Sequence, residues 1–173
     1  SAYYYSVNWN KESHLLILLE ETERAKVLEW ITTADIVISN FKYGSAERLG
    51  MDYQSLKSIN EQLIYAHVSA YGNENPKPGF DVSIQAETGW VYMNGNADGP
   101  PTKMPVALID ILAAHQLKEG ILVALMKRMK TRKGSNVSVS LFDTSIASLA
   151  NQASNWLNLK QLPERMGSAH PNI

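Results

Sequence analysis

Asp110 is the residue in this sequence that most invites a chemical role. It interrupts an apolar run, with Val106, Ala107, Leu108 and Ile109 before it and Ile111 after it. A carboxylate in apolar surroundings loses hydration, which opens its pKa and reactivity to tuning. The commoner reading is a helix N-cap, whose side-chain oxygen only satisfies free amides. His115 and Glu119, spaced i,i+4, share a helix face and could hold a metal. No further ligand stands nearby, so a hydrogen-bonded pair explains them more simply. Lys127, Arg128, Lys130, Arg132 and Lys133 could bind phosphates, but helix C-termini collect basic residues for dipole reasons alone. Asn40-Phe41-Lys42-Tyr43-Gly44, followed by Arg48 and Gly50, lies just past an apolar run. Ligands of open α/β sheets bind beyond the carboxyl ends of strands, which makes that position suggestive. None of the four histidines has a Ser or Asp partner in a recognisable triad motif.

The elements that must position these residues follow from periodicity. His14 to Leu19 (HLLILL) is continuously apolar and predicts a strand buried on both faces. Glu20 to Ala34 places Ala25, Val27, Leu28 and Ile31 at helical spacing. Asp35 to Ser39 and Leu63 to Ala70 read as buried strands. Between them come two short helices, with Ser45 and Asp52 as expected N-caps and Gly50 as a stop. Phe80 to about Met93 is mixed helical, flanked by the loops YGNENPKPG and NGNADGPPTK. Val106 to Met129 is apolar on nearly every helix face, which predicts a buried central helix closed by Arg132-Lys133-Gly134. Asn136 to Phe142 alternates as a strand, and Asp143 is expected to open a last helix to about Leu159. Strands alternating with helices are the pattern of a parallel α/β sheet.

Composition bounds the possibilities. The chain has 173 residues, 45% of them hydrophobic and 19% charged, which suits one globular domain with a real core. Sixteen basic against 17 acidic residues give a net charge of -1, so no global field argues for nucleic acid or an anionic membrane. The absence of cysteine excludes disulfides, thiolate zinc sites and Cys nucleophiles, and it fits a cytoplasmic location. No apolar run approaches a membrane span of roughly 18 residues, and the start SAYYYSVNWNKES does not read as a signal peptide. Both ends read as interruptions of a longer chain.

Several segments together resemble the class III CoA-transferase family, the group of formyl-CoA transferase and carnitine CoA-transferase. Asn8-Trp9-Asn10-Lys11 with Ser13 is similar to its N-R-N-K-x-S segment. ADIVISNFKYGSAERLG and LIYAHVSAYG resemble its A-D-V-V-x-E-N-F-R-P-G, E-R-L-G, L-I-Y and S-x-x-G-x-G series. PGFDVSIQAETG is similar to its P-G-F-D segment with the Gln-Ala and Gly that follow. GPPTKMPVALIDILAA resembles the G-P-P stretch leading to its catalytic Asp, and KGSNVSVSLFD and SAHPNI resemble its later segments. The similarity covers nearly all 173 residues in order.

The resemblance implies an open, parallel, Rossmann-like α/β sheet flanked by helices, with a long buried central helix. It implies one domain over 1–173 that lacks the family's first strand–helix unit and its C-terminal small domain. It places the family's nucleophile on Asp110, its CoA-contacting Asn-Phe pair on Asn40 and Phe41, and its nucleotide-contacting Arg on Arg48. The implied reaction moves CoA from an acyl-CoA to a carboxylic acid through an aspartyl anhydride and an aspartyl-CoA thioester. Coenzyme A is then a substrate, with no permanent cofactor and no metal. The implied partners are an acyl-CoA, a small carboxylic acid and a second copy in a homodimer, with no nucleic acid and no membrane. Two alternatives stand beside this reading. One is a truncated, catalytically silent core that only associates or binds CoA weakly. The other is an α-methylacyl-CoA racemase, which pairs the same Asp with a His in G-H-D; here the triplet is Gly79-Phe80-Asp81, and Phe80 cannot exchange a proton. Lys42-Tyr43 in place of Arg-Pro, and Met104-Pro105 in place of Val-Gly-Val-Pro, are further departures.

Overall fold

Three of the apolar runs pair into one parallel sheet in the computed structural model, which describes residues 1–173. Strands β1 (Ile36–Ser39), β2 (Ile64–Ser69) and β3 (Ser135–Ser140) lie in that order, with Ile36 opposite Ile64 and Ala66 opposite Val137. Strand alternation gives the sheet two different faces. Ile36, Ala66, Val68, Val137 and Val139 point to one side and pack on Leu117 and Ile121 of the long helix α7 (Leu108–Thr131). Tyr65 points to the other side, where it meets Ile31, Met51, Leu56 and Leu63. Those residues come from or adjoin α2 (Glu21–Ile31), α3 (Ser45–Leu49) and α4 (Tyr53–Lys57). A third cluster of Ile84, Ile109, Ala113 and Leu141 joins α5 (Asp81–Glu87) and α8 (Leu141–Ala147) to the start of α7. The helices α1 (Ala2–Asn8), α6 (Trp90–Met93) and α9 (Asn151–Leu159) complete the chain.

The run expected as a first strand is not one. His14 to Leu19 passes as extended chain and turn with no strand beside it, and Leu15 is 97% exposed. An apolar run becomes a buried strand only if a neighbour supplies its hydrogen bonds and cover. Within this segment Leu18 packs against the α2 cluster, beside Val27 and Leu28.

Three caps also differ from expectation. Gly44, at φ 68°, is the N-cap of α3, so Ser45 is already helical and its Oγ instead accepts from Arg48 Nη2 at 3.0 Å. Asp52 does cap α4, accepting from the Gln54 and Ser55 amides at 2.9 and 3.2 Å. Ser140, not Asp143, caps α8, and the expected last helix is broken at Ala150 into α8 and α9. Helix α7 ends at Arg132, with φ 58°, rather than on Gly134. Gly134 serves another purpose. A Cβ there would stand 1.9 Å from the Leu63 carbonyl oxygen, so only glycine lets the chain enter β3 against the start of β2. Gly120 similarly brings α7 against Val137.

Helix α7 is central, but its burial follows one stripe: Ile109, Ala113, Leu117, Ile121 and Ala124. Leu122, Val123, Met126 and Met129 on its outer side are exposed. No helix is long and apolar enough to cross a membrane.

Candidate active site

Helix α7 brings Asp110 to the carboxyl end of the sheet. Only a short turn separates its last residue from β3, so the helix runs back antiparallel to the strands. Twenty-four helical residues span about 36 Å, whereas a six-residue strand covers about 20 Å. The start of α7 therefore projects past the ends of β2 and β3, with Asp110 in its first turn.

Asp110 is not the cap of this helix. The N-cap position is Ala107, whose methyl side chain offers no acceptor. The free amides of Ile109 and Asp110 donate instead to Asp81 Oδ2, at 2.7 and 3.2 Å. Asp81 opens α5 and is held through its other oxygen by Gln85 Nε2. Gln85 is 1% exposed, and its Oε1 accepts from the Met104 amide at 2.9 Å. With its capping duty taken over, the Asp110 carboxyl makes no hydrogen bond within the chain, and the residue is only partly exposed at the rim. Burial first, and the nearby Asp81 carboxylate second, push that carboxyl above the usual aspartate value.

Asn40 and Phe41 follow the carboxyl end of β1 in the loop that leaves it, and Arg48 lies on α3 just beyond. Asn40 is exposed, Phe41 packs its half-buried ring on the α2–α4 cluster, and Arg48 projects from α3. Phe41 lies on the face of the sheet opposite α7, Arg48 bonds only Ser45, and no hydrogen bond joins Asn40, Phe41 or Arg48 to one another or to Asp110. The carboxyl edge of an open α/β sheet is where ligands of such folds bind.

The other sequence candidates fall elsewhere. His115 Nδ1 lies 3.1 Å from Lys118 Nζ and makes no hydrogen bond to Glu119, and no group of three or more His, Asp or Glu side chains could hold a metal. Arg128 is committed at the opposite, amino end of the sheet. Its Nη1 donates to the Asp35 and Gln62 carbonyls at 3.2 Å each, and its Nη2 pairs with Asp35 Oδ1 at 2.8 Å. Phe80 is 78% exposed beside Asp81 and provides no acid or base.

One polar cluster escaped the sequence reading. Ser39 Oγ lies 2.9 Å from both Tyr65 Oη and His67 Nδ1, immediately before Asn40. Burial pushes the His67 ring below its ordinary pKa, against the opposing effects of Ser39 and Glu47. The only signal was alternation, which put Tyr65 and His67 on one face of β2; the pairing with Ser39 depends on strand register. Asp81 and Gln85 were visible as a motif without a role.

Comparison with known proteins finds relatives along the whole chain. The family model for CoA-transferase family III matches residues 1–173. A succinate–glutarate CoA-transferase of Agrobacterium fabrum is 36% identical over 176 residues, covering 100% of this chain and 44% of that protein. An acetyl-CoA:oxalate CoA-transferase of Acetobacter aceti is 38% identical, covering 99% of this chain and 45% of that protein. The crystal structure of a CAIB/BAIF family protein from Brucella suis superposes with a TM-score of 0.94 at 39% identity. It is covered over 47% of its length by 100% of this chain. The chain thus spans less than half the length of these relatives. A match along the whole chain, with the same fold at this level of identity, means that the chain belongs to CoA-transferase family III.

Proposed function

We propose that Asp110 is the acyl acceptor of a CoA-transferase. An Asp110 oxygen attacks the thioester carbonyl of an acyl-CoA, the C–S bond breaks, and CoA leaves as its thiolate. The thiolate then attacks the aspartyl carbonyl of the mixed anhydride, releasing the donor acid and leaving an aspartyl-CoA thioester. The acceptor carboxylate attacks that thioester and again displaces CoA thiolate. Thiolate attack on the acceptor's acyl carbon gives the new acyl-CoA and restores the Asp110 carboxylate. Splitting the transfer in this way replaces one hard exchange by easier steps. No proton or electron is consumed, so a carboxylate alone can serve as the reactive group. Asn40, Phe41 and Arg48 hold the CoA, with the guanidinium on phosphate and the ring against adenine.

The observation that carries this reading is an aspartate at the start of α7 whose carboxyl is free of hydrogen bonds and raised in pKa. A raised pKa makes a carboxylate a better nucleophile, and partial desolvation sharpens it. Residues 1–173 act in this reading as the large-domain core of a cytoplasmic homodimeric enzyme. The family's first strand–helix unit and small domain would complete it. The names of two relatives join succinate with glutarate and acetyl-CoA with oxalate, so succinyl-CoA with glutarate and acetyl-CoA with oxalate are the first pairs to try.

The test is mass analysis of the Asp110 peptide after acyl-CoA exposure, with hydroxylamine as trap. The expected result is a CoA adduct or hydroxamate on Asp110 that Asp110→Asn abolishes. An unmodified Asp110 in the unaltered chain overturns the reading for this chain. CoA binding without an adduct would then favour the silent-core alternative.

A further inference from the structure

The run Pro78-Gly79-Phe80-Asp81 with Gln85 four residues on takes no part in the reaction just described, yet it meets the proposed nucleophile directly. We propose that Asp81, locked in place by Gln85, is the positioning residue for Asp110. It binds the first free amides of the helix that carries Asp110 and presents a like charge to it. This rests on the reading of Asp110 as acyl acceptor.

The argument starts from the needs of a helix end. The first amides of a helix have no partner inside it, and buried ones cost stability if left unpaired. Ile109 is fully buried, so water cannot serve its amide. An aspartate in a helix's first turn is well placed to satisfy such amides itself. Asp110 is relieved of that by Asp81 Oδ2, 2.7 Å from the Ile109 nitrogen and 3.2 Å from that of Asp110. Its carboxyl is therefore left for substrate.

Asp81 is in turn held from behind. Gln85 uses both ends of its amide: Nε2 donates to Asp81 Oδ1, and Oε1 accepts from the Met104 amide at 2.9 Å. Turning that amide over would set its oxygen against the Asp81 carboxylate, so the orientation is determined. The start of α5 is also packed without slack, since a Cβ on Gly79 would stand 3.0 Å from both Ala70 Cβ and Tyr71 Cε2. The approach loop at Met104, the cap at Asp81 and the turn holding Asp110 are thus joined by one chain of hydrogen bonds. Asp81 is also the one charged group that raises the Asp110 carboxyl, adding to the effect of burial.

The test uses this chain with Asp81→Asn, which keeps an acceptor oxygen and removes the charge, and with Asp81→Ala, which removes both. Two readouts need no turnover: hydrogen exchange of the Ile109 and Asp110 amides, and the titration midpoint of the Asp110 carboxyl by carbon NMR. In Asp81→Ala those amides are expected to exchange at least roughly tenfold faster, with other α7 amides unchanged. In Asp81→Asn, whose single oxygen can face the amides only by giving up the Gln85 contact, protection is expected to fall less than in Asp81→Ala, and the Asp110 midpoint falls. Unchanged exchange in Asp81→Ala, or an unmoved midpoint in Asp81→Asn, overturns the assignment. Both readouts stand apart from CoA transfer, so a missing adduct would sink the transfer reading alone. Where an adduct forms, Asp81→Asn is expected to slow it and shift its pH profile toward acid, which a merely structural residue would not do.

Discussion

Asp110 carries a cost to the fold that its chemistry would explain. Its carboxyl titrates above 3.8 in the folded chain, because of burial and then Asp81. The unfolded chain therefore gives up this proton first as pH rises through about 3.8. From there upward the folded state is penalised, and the penalty is complete above the folded pKa. Asp110→Asn is expected to raise Tm at neutral pH, on the order of 2 °C. The gain should vanish at pH values well below 3.8, and calorimetric scans at both pH values check it. His67 works in the opposite window. Burial holds it neutral, so stability is expected to fall as pH drops below 6.5 toward its lowered folded value. Urea midpoints between pH 8 and 5 should show that loss, and His67→Gln should flatten it. Arg48 is exposed, and its side chain makes one hydrogen bond, to Ser45, so replacing it disturbs little else. Arg48→Ala is expected to weaken CoA binding roughly tenfold by calorimetry, the loss of one charge-assisted contact, with Tm unchanged.

At the scale of elements, two glycines and one cap decide how helices meet the sheet. Gly120 lets α7 approach so closely that an alanine methyl would stand 2.6 Å from Val137 Cγ1. Overpacking of this kind costs about 1–3 kcal/mol. Val137→Ala added to Gly120→Ala should recover part of that loss, a coupling measurable by a double-mutant cycle in urea. Gly134→Ala meets the Leu63 carbonyl rather than a movable side chain, so it belongs with the rare losses of about 4 kcal/mol or more. Asp52 caps α4. Burial opposes its charge, but hydrogen bonds from the Ser55 side chain and the Ser55 and Gln54 amides prevail and hold its carboxyl below 3.8. Asp52→Ala is expected to cost about 1 kcal/mol at neutral pH. That contribution fades only as pH falls below 3.8, well separated from the His67 window.

At the scale of the molecule, much apolar surface stays in contact with water. Leu122, Val123, Met126 and Met129 line the outer side of α7, and Ile38 stands on an unpaired sheet edge. Contiguous apolar surface and open strand edges favour association. Sedimentation is expected to show self-association that rises with concentration. Val123→Lys with Met126→Lys should shift it toward monomer without lowering Tm. A chain that stays monomeric at its solubility limit would contradict this expectation.

Local sequence by itself determined the strands β1 and β2, the helix α7 and the cap at Asp52. Each is written in contiguous residues, as a buried run, a helical period or an N-cap side chain two and three residues before the amides it serves. The ordered motifs also singled out Asp110, Asn40, Phe41 and Arg48 and their family. Periodicity could not tell that strand-like burial fails for the run from His14 to Leu19, because a strand needs a partner and the run has none. It could not tell which side of α7 would be covered, since that depends on what packs there. The cap of α7 comes from Asp81, 29 residues before Asp110, and the Ser39–His67 contact spans 28 residues. Those meetings exist only once strands align in register and α7 runs back across them. Whether Asp110 would be a cap or a free carboxyl was therefore decided by tertiary structure.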